Sequence, residues 1–289
     1  KILNENFSFI KEDVKKFLEK INKKEFSNKI KKILFKKEKS KKDQNILLTG
    51  EQILDYYTNV DLQGKSQKSS VISAVKNKTR KYGGGSILVA NLLSEFVDNL
   101  HYLVNGNLKT KKILSIYLDH INKINLIMTG DKVEKLLIKE RFIENYSKAR
   151  LFQLNQNQKY FNLDKNNKKF QKTFLDKIKG FTNVIIFDYG YGFIDEKFSN
   201  FIKNKKNKFY INCQTNSSNY GFNLFSKYKK AEILCVDEME FRLTVKNKED
   251  AIFDLIKKNH KLLKNYKTFI VTCGSKGCYV LNGKTIEYI

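Results

Sequence analysis

The chain has 289 residues, 41% of them hydrophobic, enough for one large domain or two small ones with a sizeable core. Lys and Arg number 56 against 30 Asp and Glu, a formal charge of +26, but the lysines are spread along the chain beside abundant Asn, Ile and Phe. That reads as compositional bias, because a nucleic-acid face needs clustered charge. No apolar run approaches a membrane span and no signal peptide is visible, so a cytoplasmic protein without a membrane partner is expected.

Residues 1–42 are Lys-rich, and Val14, Phe17, Leu18 and Ile21 recur at helical spacing without a strand signal. The pattern predicts a basic helical linker or the tail of an upstream domain. From Asn45 onward strands and helices alternate. Ile46–Gly50 reads as a short buried strand. A polar passage with alternating apolar residues follows, and within it Val71–Val75 reads as an exposed sheet or lid strand. The cluster Tyr82-Gly83-Gly84-Gly85-Ser86 opens a helix predicted over 87–100, with Leu88, Leu92 and Phe96 on one stripe and Val89, Leu93, Val97 and Leu100 beside it. Tyr102–Val104 and Ile124–Met128 read as strands, with a helix over 113–121 between them and a mixed-pattern strand over 136–143.

Residues 155–169, rich in Asn, Gln and Lys, predict a loop. Phe170, Phe174, Leu175 and Ile178 mark a helix that Gly180 ends. Val184–Asp188, Phe209–Asn212, Ile233–Val236 and Phe269–Thr272 are apolar strands, with helices near 195–203 and 249–263. Asn282-Gly283 between Cys278–Leu281 and Lys284–Tyr288 is a hairpin signal. The four cysteines, Cys213, Cys235, Cys273 and Cys278, sit beside strand-like residues. They form no Cys-x-x-Cys and lie near no histidine, so free thiols are expected and no zinc pattern exists.

This alternation argues for a parallel sheet covered on both faces, whose ligands gather at the carboxyl ends of its strands. Asp55, Asp188, Asn212, Asp237 and Thr272 all fall at or just after predicted strand ends. A strand-end Asp also caps a following helix, so each has a purely structural reading as well. The gathering of five points to an active site. A carboxylate past the first strand and a glycine-rich helix start with open N–H groups suit a polar, anionic ligand. Asp237-Glu238-Met239-Glu240 puts Asp237 and Glu240 on one face of a helix turn. They are either a carboxylate pair for Mg²⁺ or a negatively charged helix N-terminus. Thr272-Cys273-Gly274-Ser275-Lys276-Gly277 offers a hydroxyl and N–H groups to a phosphate, or is a tight turn. It lacks the Gly-Lys-Ser/Thr ending of a Walker A loop.

The order of these motifs resembles the ribokinase-like sugar kinases of the phosphofructokinase-B family. The resemblance runs from about Asn45 to the C-terminus. It rests on Gly50-Glu51 with Asp55, Leu62-Gln63-Gly64-Lys65-Ser66, Tyr82-Gly83-Gly84, Phe187-Asp188-Tyr189-Gly190-Tyr191-Gly192, Asn212-Cys213-Gln214-Thr215-Asn216, Asp237-Glu238-Met239-Glu240 and Thr272–Gly277. Within that family the chain looks most like kinase modules joined to a nucleotidyltransferase, akin to heptose-phosphate kinases of cell-envelope sugar synthesis.

The resemblance implies a three-layer αβα sandwich over 43–289 with a mostly parallel sheet. It also implies a small β lid at about 56–82 that pairs into a homodimer, and an upstream nucleotidyltransferase domain. ATP would phosphorylate a sugar or sugar phosphate with Mg²⁺ on the phosphates. Asp55, Gly83 and Gly84 would touch the sugar, and Asp188 would lie near the transferred phosphate. Asp237 and Glu240 would organise the metal, and Thr272, Gly274 and Gly277 would line the nucleotide site. Ile87 and Asp237 depart from the family, which often has Asn at both places. The family's catalytic base belongs to a Gly-Ala-Gly-Asp motif expected after Ile289, so the resemblance implies C-terminal truncation, no catalytic residue within these 289 residues and an inactive fragment. Two rival readings are a non-catalytic sugar- or nucleotide-binding module and a basic nucleic-acid-binding protein. The second has only Phe35 as an aromatic residue in its basic arm at 29–42, where stacking platforms would need several interleaved.

Overall fold

Apolar β-branched segments separated by polar turns assemble a nine-stranded sheet. The computed structural model describes residues 45–66, 68–97, 99–130, 136–157 and 166–289. The basic segment expected over 1–42, and 158–165 of the expected loop, lie outside the described residues.

In chain order the elements are β1 (Ile46–Gly50), β2 (Gln52–Lys65), β3 (Ile72–Gly85), α1 (Ser86–Ser94), β4 (Leu100–Val104), α2 (Leu108–Ser115), β5 (Ile124–Met128), β6 (Leu137–Glu144) and β7 (Arg150–Gln156). They continue with α3 (Asn166–Lys177), β8 (Asn183–Asp188), α4 (Glu196–Lys203), β9 (Lys208–Cys213), β10 (Ala231–Asp237), α5 (Glu238–Val245), α6 (Ile252–Lys258), α7 (His260–Leu263), β11 (Tyr266–Thr272), β12 (Cys278–Asn282) and β13 (Thr285–Tyr288).

The large sheet has the order β13-β12-β11-β10-β9-β8-β1-β4-β5. Every pair from β5 to β11 is parallel, and β12 and β13 close the edge as an antiparallel hairpin. From β1 the chain first adds β4 and β5 on one side, then crosses back to β8 on the other. That reversal makes the carboxyl ends of β1 and β8 the topological switch point, where such sheets leave a crevice. β1 is buried on both faces. Leu47 joins a core with Phe170, Phe174, Phe198, Phe209 and Phe269, and Leu48 is buried apart from that cluster.

Two compact units emerge among the described residues. Tyr56–Lys81 and Glu140–Leu154 form the smaller; 45–55, Tyr82–Lys139 and Asn155–Ile289 form the larger. The smaller unit belongs to a four-stranded sheet of order β3-β2-β6-β7. Its Thr58 hydroxyl donates to Glu140 at 2.6 Å, and Ile72 remains 63% exposed. The segment 140–154 is a part of this unit that hydropathy alone does not assign to it.

Several sequence-based bounds are corrected. The helix expected over 87–100 stops at Ser94, because Leu100 must already be extended to pair with Ile46. Its expected apolar stripe is also rotated: Ile87 and Ala90 are buried, whereas Leu88 and Leu92 are exposed. The helix expected over 113–121 is α2, which starts at Leu108. Asn107 accepts from the Lys109 N–H and Thr110 accepts from the Asn107 N–H, a capping pair that outweighs hydropathy. The polar β7 and the first turn of α3 replace the ends of the loop expected over 155–169. The helix expected over 249–263 breaks at Asn259, whose side-chain amide donates to the Leu255 carbonyl. All four thiols are free, but Cys213 alone is fully buried.

Phe174 is wholly buried, with its ring centroid 4.7 Å from that of Phe198 and 6.5 Å from that of Phe170. Phe174→Ala is expected to cost about 3–5 kcal/mol of unfolding free energy. Urea unfolding measures this, and a loss below about 1 kcal/mol would contradict the packing.

Candidate functional site

Register places the strand ends along one edge of the sheet. Gly50 is level with Phe187, Asp188 with Cys213, and Asp237 with Thr272. The candidate residues fall into three groups rather than one.

The first group lies at the switch point and is buried. Asp188 has no exposed surface. Its carboxylate accepts from the Tyr228 hydroxyl at 2.8 Å, the Asn223 amide at 3.1 Å and the Gly190 N–H at 3.0 Å, and pairs with the Lys227 ammonium at 2.5 Å. Lys227 also donates to the Ile194 carbonyl and to Asn223, each at 2.7 Å. The Asp188 carboxylate is thus enclosed by the chain's own donors.

Glu51, next to it, is equally buried and accepts the N–H groups of Tyr189 at 2.8 Å and Tyr191 at 3.0 Å. Three consecutive N–H groups, 189 to 191, are thus taken by the chain's own two carboxylates. Burial, with Asp188 beside it, pushes the Glu51 carboxyl up to about 7 against the pull of its N–H donors and Lys227. Burial alone would lower the Lys227 ammonium, but Asp188 reverses this and its pKa is raised. Burial and then Asp188 likewise raise the Cys213 thiol.

The second group is Asp55 with the glycine-rich helix start. Asp55 lies inside β2, not at a strand end as its sequence context predicts. A side chain on Gly84 would overlap the Asp55 carboxylate, and one on Gly83 would press on Ile87. Gly85 is the N-cap of α1 with φ of 55°, and no side chain caps this helix start. Ser86 binds the Glu51 carbonyl through its N–H at 3.1 Å and its hydroxyl at 2.9 Å, and its hydroxyl meets Tyr102 at 2.6 Å.

The third group lines a cleft of about 820 Å³ between the ends of β10 and β11. Asp237, Thr272 and Gly274 line it together with Arg242, Lys246 and Lys248. Tyr220 and Met239 supply an aromatic and apolar wall, joined by a hydroxyl-to-sulfur contact of 3.2 Å. Gly277 is not part of the lining. It closes the turn below, where its carbonyl accepts from the Cys273 N–H at 2.8 Å.

Glu240 is buried beneath the cleft. One of its oxygens accepts the Thr215 N–H at 2.9 Å and the other the Asp237 N–H at 2.7 Å, while Asp237 caps the Glu240 N–H at 2.7 Å. The capping role foreseen as the plain alternative is therefore present. Burial pushes the Glu240 carboxyl up to about 7. Among the described residues no three His, Cys, Asp or Glu side chains gather as a metal cluster. The donor set suits a hydrated cation at the second oxygen of the exposed Asp237, with Glu240 committed to backbone.

Lys227 and the cleft cations are residues that sequence reasoning did not single out, and Glu51, named there beside Gly50, was given no role of its own. Glu51 carried a signal, being a carboxylate directly after a strand-ending glycine. Lys227 carried none, as one among 56 basic residues.

No protein-family model matches the chain, and a search of curated proteins found no match. Solved structures do match in fold. Phosphofructokinase-2 from Escherichia coli, in complex with substrates and products, superposes with a TM-score of 0.62 at 12% identity over 85% of this chain and 78% of that one. Ribokinase from Giardia lamblia gives 0.59 at 16% over 85% and 75%. Arabidopsis thaliana ribokinase, complexed with ribose and ATP, gives 0.58 at 12% over 85% and 77%. The fold is ribokinase-like, a mixed α/β architecture with a large, mostly parallel sheet.

The raised Glu51 carboxyl has a consequence for stability. The folded chain holds a proton there that the unfolded chain releases at lower pH. Its contribution is present in acid and is lost as pH rises through about 7. Glu51→Gln does not titrate, so its stability deficit relative to wild type is expected to narrow from about pH 5 to about pH 8. Parallel thermal unfolding series measure this, and a deficit that widens with pH would contradict the assignment.

Proposed function

We propose that this chain is an ATP-dependent carbohydrate kinase domain, with the nucleotide in the cleft between β10 and β11 and a sugar or sugar phosphate against Asp55 and Gly84. The observation that carries this reading is the cleft itself. It joins Asp237, Thr272 and Gly274 to Lys246 and Lys248 at the carboxyl edge of a ribokinase-like sheet, with room for a nucleotide. The ammonium groups and the Gly274 turn suit phosphates, and Tyr220 suits a base. A fold neighbour is complexed with ribose and ATP, which supports the same ligand classes here.

In this reading Asp55 accepts hydrogen bonds from sugar hydroxyls, and the glycines at 83 and 84 let the backbone approach. The open start of α1 offers N–H groups to an anionic sugar substituent. Asp237 holds hydrated Mg²⁺, and Glu240 keeps that helix start in place. Bound Mg²⁺ would offset the charge of the phosphates. The finer proposals are a heptose-phosphate-like substrate in cell-envelope sugar synthesis, a cytoplasmic location, a lid over 56–82 that pairs into a homodimer, and an upstream nucleotidyltransferase domain. A second reading, a binding module without catalysis, is favoured by the enclosure of Asp188 and by Ile87 being wholly buried at the helix start.

A coupled assay for ATP-dependent phosphorylation over a panel of sugars and sugar phosphates tests the kinase reading: turnover supports it over the module, and binding of neither ATP nor any sugar of the panel would count against both. Asp55→Ala is expected to weaken sugar binding by roughly 1–3 kcal/mol and to leave nucleotide binding unchanged. Calorimetry with each ligand measures this, and equal losses for both would count against the placement. Gly84→Val is expected to abolish sugar binding with most of the fold kept, because its side chain would overlap the Asp55 carboxylate. Normal sugar affinity in that variant would reduce the glycine to a turn residue.

A further inference from the structure

Glu51 does two things at once. Its backbone carbonyl receives the N–H and hydroxyl of Ser86 at the start of α1. Its carboxylate receives the N–H groups of Tyr189 and Tyr191 from the turn after β8. One residue thereby ties the glycine-rich helix start to the turn across the switch point, between strands β1 and β8 that pair directly. A residue needed only to fill this space would not have to be charged. Burying a carboxylate costs several kcal/mol unless it is paired, which makes an apolar side chain the cheaper filler. Two oxygens accepting two N–H groups is what a carboxylate does and an amide cannot do, because an amide turns a donor toward one of them.

We infer that Glu51 is a positioning residue, which holds the Tyr189–Tyr191 turn in register with the sugar-side helix start through two carboxylate hydrogen bonds. The inference rests on the kinase reading for what the turn serves, but not for the latch itself. The groups that face Glu51 are Asp188 and Tyr189 at the end of β8, and Lys227 and Tyr228 from the segment before β10. Asp188 completes the arrangement by taking the N–H of Gly190, whose φ of 71° turns it away from its neighbours.

Amide hydrogen exchange at pH 8, where Glu51 is ionised, tests this on the full chain. In Glu51→Gln the Tyr189 or Tyr191 amide is expected to exchange about tenfold faster or more, the factor for losing one hydrogen bond to a charged group. Amides in β10 and β11 and the affinity for a non-hydrolysable ATP analogue should stay within twofold or so of wild type. Unchanged protection of both amides would overturn the inference. If the variant does not fold, the wild type decides by NMR. The Tyr189 and Tyr191 amide protons are expected to shift with the same midpoint as the Glu51 carboxyl carbon. Two amide protons that stay flat while that carbon titrates would overturn it equally. Fructose 6-phosphate and ribose serve as sugar probes, and wild type binding neither would count against the kinase reading while leaving the exchange result to decide on the latch.

Discussion

Two carboxylates and one ammonium, all out of water at the point where the sheet reverses its order, constrain the rest of this structure. Glu51 and Asp188 bring two carboxyl groups against the one ammonium of Lys227, and burial with Asp188 beside it pushes the Glu51 carboxyl up to about 7. Such a cluster is tolerable only where every oxygen finds a donor, since an uncompensated buried charge costs several kcal/mol. The donors are backbone N–H groups at 189, 190 and 191, the Tyr228 hydroxyl and the Asn223 amide. The turn after β8, the segment carrying Asn223 to Tyr228 and the end of β1 are therefore held to one another by a shared electrostatic requirement. Apolar packing alone would hold them less specifically.

The edge of the sheet divides accordingly. At β1 and β8 the Glu51 and Asp188 carboxyl groups are satisfied by protein donors and closed to solvent. At β10 and β11 the cleft is open, with Lys246 and Lys248 exposed and Arg242 paired with Glu238 at 2.8 Å. The helix after β10 begins on a reciprocal cap between Asp237 and Glu240, which consumes the Glu240 carboxylate and leaves Asp237 half free.

Most of the fold was legible in the sequence because it is written in local pattern. The strands at 46–50, 184–188, 233–236 and 269–272 are apolar and β-branched, as strands buried on both faces must be. The hairpin around Asn282-Gly283 follows from turn chemistry, with Gly283 at φ of 60°. Periodicity failed where a partner overrode it. Leu88 and Leu92 look like a core stripe, yet the register of β4 ends α1 early and turns Ile87 and Ala90 inward. Asn155 and Gln156 read as loop, yet they end β7, which lies beside β6 in the small sheet.

The candidate site divides in the same way. The residue types at strand ends, Asp188, Asp237 and Thr272, were set by the sequence itself, since chain order and alternation determine which ends share an edge. Their state was decided only by tertiary structure. Whether a carboxylate faces a ligand or its own backbone depends on donors brought from distant segments: Lys227 to Asp188, Thr215 to Glu240, Tyr189 to Glu51. Those donors lie 25 to 138 residues away in the chain, and no local pattern encodes them. Desolvation and hydrogen bonding act through space, so the sequence names the acids while the fold alone determines which of them are open.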